Sequence, residues 1–244
     1  MKTPSLKFFT LLAVTALTLQ SCANNNRERI DGNREYAKAD RPVESFSEIE
    51  IKGDFDVEIA QGNTPKLSID ADSNLHNYIY TETQNGKLTI SQPDNRRLKS
   101  FRQIKVFIEA PNINEIKAYG HNRITSAGTV LFDSMRIEVY GATTASLAIK
   151  GGHLSGTFPG AVDLTLQGNV NTVDLQFPGA ADLNAAKLQT RDFNLKLQGA
   201  GKANIFVTEN LNVEISGAGL VNYLGNPSSV HSSIGGIGRL VRAD

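Results

Sequence analysis

Glu115-Ile-Lys-Ala-Tyr-Gly120, Arg136-Ile-Glu-Val-Tyr-Gly141, Leu154-Ser-Gly-Thr-Phe-Pro-Gly160, Val173-Asp-Leu-Gln-Phe-Pro-Gly179, Phe193-Asn-Leu-Lys-Leu-Gln-Gly199, Leu211-Asn-Val-Glu-Ile-Ser-Gly217 and Ser232-Ser-Ile-Gly235 each set a glycine after a short alternating run. Successive glycines lie 21, 19, 19, 20, 18 and 18 residues apart. A unit of this length cannot bury its own apolar face and must stack on copies of itself, so the period predicts an all-β solenoid.

The side chains around each glycine support the stack. Two places before it stand Ile51, Ala118, Val139, Phe158, Phe177, Leu197, Ile215 and Ser233; four before stand Ile49, Ile116, Ile137, Gly156, Leu175, Leu195, Val213 and His231. On a strand both positions point to one face, so the two rows form an internal column. Phe46 to Gly53 supplies the first coil. His231 and Ser233 break the pattern and mark the last coil as a cap.

Between Asp54 and Glu109 the rhythm changes to shorter strands at 55–59, 66–70, 78–81, 87–90 and 104–108. This strand-rich N-terminal section has a hairpin signal at Asn85-Gly86, and Pro93 to Phe101 reads as its longest loop. No window sustains a 3.6-residue apolar period, so long helices are not expected.

The start of the chain has a different character. Residues 1–21 have a lysine-bearing start, an apolar run from Phe8 to Leu19 and then small residues, which is a secretory signal peptide. Its end, Leu19-Gln20-Ser21-Cys22, resembles the lipobox of bacterial lipoproteins with Gln20 as a departure, and Cys22 is the chain's only cysteine. The expectation is lipidation at Cys22, a flexible tether over 22–41 and a folded domain over 42–244. Without the leader, 23 basic and 25 acidic residues remain, a net charge of −2 that offers no footprint for nucleic acid.

The Gly-Ala corner units, with Ser216-Gly-Ala-Gly-Leu-Val-Asn-Tyr-Leu-Gly-Asn-Pro227 and Ile234-Gly-Gly-Ile-Gly-Arg-Leu240, resemble the GIN domain of auto-transporter adhesin heads over about residues 42–241. The resemblance implies a right-handed parallel β-helix on a bacterial cell-envelope protein. It brings no catalytic residues to carry over.

Candidate sites were sought against this repeat. Aligning the turns gives a second row, Arg123, Ser146, Asp163, Asp182, Asn204, Asn222 and Arg242. Asp163 and Asp182 on adjacent coils would be like charges about 4.8 Å apart. A bridging calcium would need six to eight oxygen ligands, so a solvated or turn-capping ladder is the better expectation and no metal is assigned. Asp54, Asp56 and Glu58 share one strand face and could be spaced for glycoside hydrolysis. Alternating acids opposite Phe55 and Val57 also describe any half-buried strand, so no catalytic residue is assigned. His76, His121, His153 and His231 are isolated, no serine sits in a nucleophile elbow, and Gly199-Ala-Gly-Lys202 lacks the full phosphate-loop spacing. Tyr119 and Tyr140 precede equivalent glycines on the outer face and should stack as an exposed pair.

The sequence therefore predicts a non-enzymatic, cofactor-free envelope protein that meets the membrane through its lipid and a glycan or an envelope or host protein through Tyr119, Tyr140, Asp163 and Asp182. A polysaccharide-active enzyme using Asp54, Asp56 and Glu58 or the Asp163/Asp182 pair, or self-association through the stack's end or flank, is the alternative.

Overall fold

The computed structural model describes residues 28–243. The structure is 74% strand and 3% helix, and its parallel coils stack into a β-solenoid of about 7 turns. The N-terminal section carries β1 (Glu28–Asp31), β2 (Tyr36–Arg41), β3 (Glu48–Lys52), β4 (Phe55–Gln61), β5 (Lys66–Asp72), a 3-10 turn at Ser73–Tyr78, β6 (Tyr80–Gln84), β7 (Lys87–Ser91), β8 (Arg96–Lys99) and β9 (Lys105–Ala110). The chain then winds through β10 (Glu115–Tyr119), β11 (His121–Val139), β12 (Ala142–Thr157), β13 (Ala161–Phe177), β14 (Ala180–Leu197), β15 (Ala200–Ile215), β16 (Ala218–Leu224), β17 (Ser229–Ile234) and β18 (Ile237–Arg242). Each of β11 to β14 runs most of a coil and pairs in parallel with the next.

The expected inward columns exist. Ile49, Ile116, Ile137, Gly156, Leu175, Leu195 and Val213 are in continuous register. Beside them run Ile51, Ala118 and Val139, then Phe158 and Phe177 with ring centroids 4.8 Å apart, then Leu197 and Ile215, all buried. Gly156 sits in the first column because the Phe158 ring occupies the space a Cβ would need. At roughly 1.5–3 kcal/mol for each fully buried large side chain, these columns are the main stabilising element.

The corner is held by backbone contact. A Cβ on Gly120, Gly141, Gly160, Gly179, Gly199, Gly217 or Gly236 would fall on the carbonyl oxygen of the corner glycine one coil earlier, far inside van der Waals contact. The last corner is Gly236 rather than Gly235, because the final coil is one residue longer than its predecessor. Ser232 and Ile234 consequently take the inward register under Val213 and Ile215, while His231 and Ser233 align with Asn212 and Glu214 on the outer face.

Two expectations for the N-terminal section change. Residues 28–41 were expected within the tether, yet β1 pairs with β8 and β2 runs antiparallel to β5. The same pairing places strand β8 inside the expected 93–101 loop. The hairpin at Asn85-Gly86 forms as expected, with φ of 52° and 77° suited to a primed turn joining β6 and β7.

A charged row crosses the strands that precede the corner, with Glu50 of β3 next to Lys117 of β10 and Glu138 of β11. Burial alone would raise the Glu50 pKa. The ammonium of Lys52 at 3.0 Å, that of Lys87 at 3.7 Å and the Thr89 hydroxyl outweigh it and hold the carboxyl below its ordinary value. A folded pKa below the unfolded value of about 4.3 gives stability that is complete above that pH and lost as pH falls through the folded pKa. Glu50→Gln should therefore flatten the acid side of the stability curve below about pH 5 relative to wild type, as read by thermal melts at a series of pH values. Parallel curves for the two proteins would remove Glu50 from the acid response.

Candidate functional groove

The residue after each corner glycine is alanine in five consecutive coils, Ala142, Ala161, Ala180, Ala200 and Ala218, and its methyl points outward. Small side chains in register leave a trough along the solenoid axis. On one side the residue before the glycine stands up: Tyr119, Tyr140, Pro159, Pro178, Gln198 and Ser216. On the other stand Arg123, Thr144, Asp163, Asp182 and Lys202, three places after the glycine. Beside the polar row the surface holds a cavity of about 580 Å³ lined by His121, Arg123, Thr144, Asp163, Asp182 and the alanines from Ala142 to Ala200, together with Phe55 and Gln103; the tyrosine and proline row does not line it. The signal was present in the sequence as repeated Gly-Ala dipeptides, but the alanines were read only as part of a family pattern.

Tyr119 and Tyr140 stack as expected, with centroids 4.9 Å apart and planes 7° from parallel. The rings cover each other's faces, so they present edges and hydroxyls to solvent rather than an open stacking platform. The Tyr140 hydroxyl donates to Glu138 Oε2 at 2.9 Å, and that hydrogen bond raises the phenol pKa. Lys117, whose pKa is raised chiefly by its hydrogen bond to Glu115, lies 3.7 Å from the same Glu138 carboxylate.

The polar wall differs from the expected row. Asp163 and Asp182 are adjacent in register, but their neighbours are Thr144 and Lys202, not Ser146 and Asn204. Asn204 and Asn222 belong to a separate ladder with Asn184, in which Asn222 Nδ2 donates to Asn204 Oδ1 at 2.9 Å. Arg242 aligns with Tyr223 instead. The pairing from corner to row is unbroken in these coils: Thr144, Asp163, Asp182 and Lys202 each stand three places after the corner glycine, whereas Ser146, Asn204 and Asn222 stand five places after it, two residues further along the strand. Lys202 relieves the like-charge contact: its Nζ lies 2.9 Å from Asp182 Oδ2, and its pKa is raised by that hydrogen bond and charge.

The wall continues into the N-terminal section as Lys38, Asp70, Lys105, Asp56 and Arg123, alternating in sign across five strands. Asp56 is thereby set between two cations, a poor setting for a catalytic pair. Asp54 lies just before β4, where its Oδ1 accepts from the His121 backbone N–H at 2.9 Å, and Glu58 aligns with Phe107 and Thr125. The three acids do not converge on one point. Cys22, the expected lipidation site, lies outside the described residues.

Elsewhere the coils are tied by side-chain amides along the axis. Asn212 Nδ2 donates to Asn194 Oδ1 at 2.7 Å, Asn194 Nδ2 to Asp174 Oδ1 at 2.5 Å, and Asn210 Nδ2 to Asp192 Oδ1 at 2.6 Å. His153 Nε2 lies 2.6 Å from Asp174 Oδ2 at the head of the first ladder. These contacts are repeat chemistry of the kind stacked strands favour.

Solved structures share the whole architecture. A protein described as a "putative adhesin" from Bacteroides fragilis NCTC 9343 superposes with a TM-score of 0.84 at 21% identity, covering 88% of this chain and 100% of that one. A "putative lipid binding protein" from Parabacteroides distasonis ATCC 8503 gives 0.71 at 22% identity, covering 89% and 100%. A "putative adhesin" from the same Parabacteroides distasonis strain gives 0.69 at 20%, covering 88% and 100%. At these identities the likeness concerns the fold. No curated protein matches the chain. The sequence pattern of the family described as "Putative auto-transporter adhesin, head GIN domain" matches residues 45–227, from just before β3 to the Gly-Asn-Pro turn after β16, and the chain belongs to that family.

Proposed function

We propose that the chain is an exported, lipid-anchored envelope protein that holds an extended polymer, a glycan or polypeptide, in the alanine-floored groove without chemically altering it. The observation that carries this reading is the alanine column in register beside the polar row of Arg123, Thr144, Asp163 and Asp182, which together line one cavity. A linear ligand lying along the axis would meet an equivalent shelf at each coil, every 4.7–4.9 Å or so, and gain affinity by repetition. The family's adhesin description points the same way. With a lipid on Cys22, only residues 23–27 would separate it from β1, a reach of at most about 18 Å, so the front end would face the membrane and the groove would run away from it.

Ala161→Trp and Ala180→Trp would fill the groove with rings that project into solvent. Both variants should melt like wild type yet bind at least about tenfold more weakly to whichever polymer an array of envelope glycans and peptides selects for the wild-type protein. Equal binding by wild type and variants, or wild-type binding no better than background, would remove the groove from the function.

A further inference from the structure

The two ends of the solenoid are finished differently. At the front the outermost strands are β2 and β6, whose exposed Lys38, Asp40 and Glu82 deter the addition of another strand. At the far end lie β17 and β18, and β17 reads Ser229-Val-His-Ser-Ser-Ile234 without lysine, arginine, acid or proline. Ile234 continues the buried column of Ile215, and Leu240 that of Val221, so the core runs to the end of the stack without a lid. Among the described residues, exposed large apolar side chains concentrate here: Leu220, Val230, Ile234, Val241 and Ile237, the last 88% exposed.

We infer that a second copy of this chain covers this end, tail to tail about a two-fold axis. Antiparallel pairing of β17 with its copy, centred on Ser232, sets Val230 opposite Ile234, His231 opposite Ser233 and Ser232 opposite its own copy, inward side chains facing inward ones. Pairing β18 in the same way about Leu240 sets Arg239 opposite Val241 and Gly238 opposite Arg242. Neither arrangement opposes like charges, so the edge is compatible with itself. Head-to-tail stacking would bring it against the charged β2 and β6 edges and leave a fresh open end each time, whereas the two-fold contact closes. The N-terminal ends then lie at opposite poles of a doubled solenoid, so that lipids on the two Cys22 side chains would enter two facing bilayers rather than one.

Sedimentation equilibrium of the full chain in mild detergent, over about a hundredfold concentration range, should give twice the chain mass. The double variant Ile234→Lys/Ile237→Lys should give the single mass, with a melting midpoint that, unlike the wild type's, does not rise with protein concentration. In a Cys22→Ser background, Ser232→Cys should be cross-linked to a dimer by a short bismaleimide. A wild type that stays monomeric, a double variant of the same mass as wild type, or a ladder of ever larger assemblies would each overturn the tail-to-tail pairing.

Discussion

Gly179→Ala is expected to destabilise the protein by about 3–5 kcal/mol and to lower its melting midpoint by roughly 6–20 °C. Conformational strain is not the cause, because Gly179 lies outside the left-handed region. The cause is the approach of two backbones: the new methyl would meet the Gly160 carbonyl oxygen directly and the Pro159 carbonyl oxygen at 2.5 Å. A flexible side chain could swing aside, but here the obstacle is backbone already paired in the stack. Relief requires two coils to part at the corner, which loosens the Phe158–Phe177 contact just inside it. Gly235→Ala is the control, since nothing lies within 4 Å of a Cβ there and its φ is not left-handed. Urea melts of the two variants should separate by most of the predicted difference, and a Gly179→Ala protein within 1 kcal/mol or so of wild type would refute the packing account.

The corner glycines were legible in the sequence because steric need forces the same residue at each coil. The inward columns were legible for a similar reason: burial selects apolar side chains at period two, and Ile137, Leu175 and Leu195 repeat that choice. The polar wall was less legible. Thr144, Asp163, Asp182 and Lys202 share a register without sharing chemistry, so nothing in composition corrects an alignment that slips by two residues along the strand to another polar side chain on the same face. Ser146 and Asn204 were misplaced on that account, and the one-residue slip to Ser233 at the last coil arose where burial no longer selects the side chain. The groove itself was half legible. Repeated Gly-Ala dipeptides mark it, but an alanine carries no chemistry of its own, and its meaning depends on the polar side chains, Thr144 and Asp163 among them, that line the same cavity.

The strands of residues 28–41 were not legible because their cohesion is polar and non-local. Arg34 stacks over Phe101 at 3.9 Å and Arg102 over Tyr36 at 4.1 Å, so cation–aromatic contacts join segments more than sixty residues apart. β1 is largely exposed, and the alternation of β2 is carried by small residues, Ala37 and Ala39 against Lys38 and Asp40, so no large apolar side chain betrays either strand.

Asp72→Ala should release that segment at a cost of about 2–4 kcal/mol while leaving the solenoid folded. Asp72 is fully buried at the end of β5. Its Oδ1 accepts from the Arg34 backbone N–H at 2.6 Å, and its Oδ2 accepts from the Ser100 hydroxyl, so one carboxylate ties the segment before β2 to the end of β5 and to the residues after β8. Neighbouring bonds reinforce the junction: Gly32 N–H donates to the Lys99 carbonyl at 2.9 Å, and Asn33 Nδ2 donates to Ser73 Oγ at 2.7 Å. Truncation to alanine removes the charged acceptor from two part-buried hydrogen bonds at once, such bonds being worth about 1.5–3 kcal/mol each, whereas Asp72→Asn keeps an acceptor and should cost less. Because β13 and β14 pair with neither β2 nor β5, the loss should be local, in the manner of a separate opening unit. Amide exchange should then quicken across Tyr36 to Arg41 in Asp72→Ala, with intermediate behaviour in Asp72→Asn and unchanged protection in β13 and β14. Equal protection of β2 in all three proteins would mean that the strand pairing with β5, not the carboxylate, holds the segment in place.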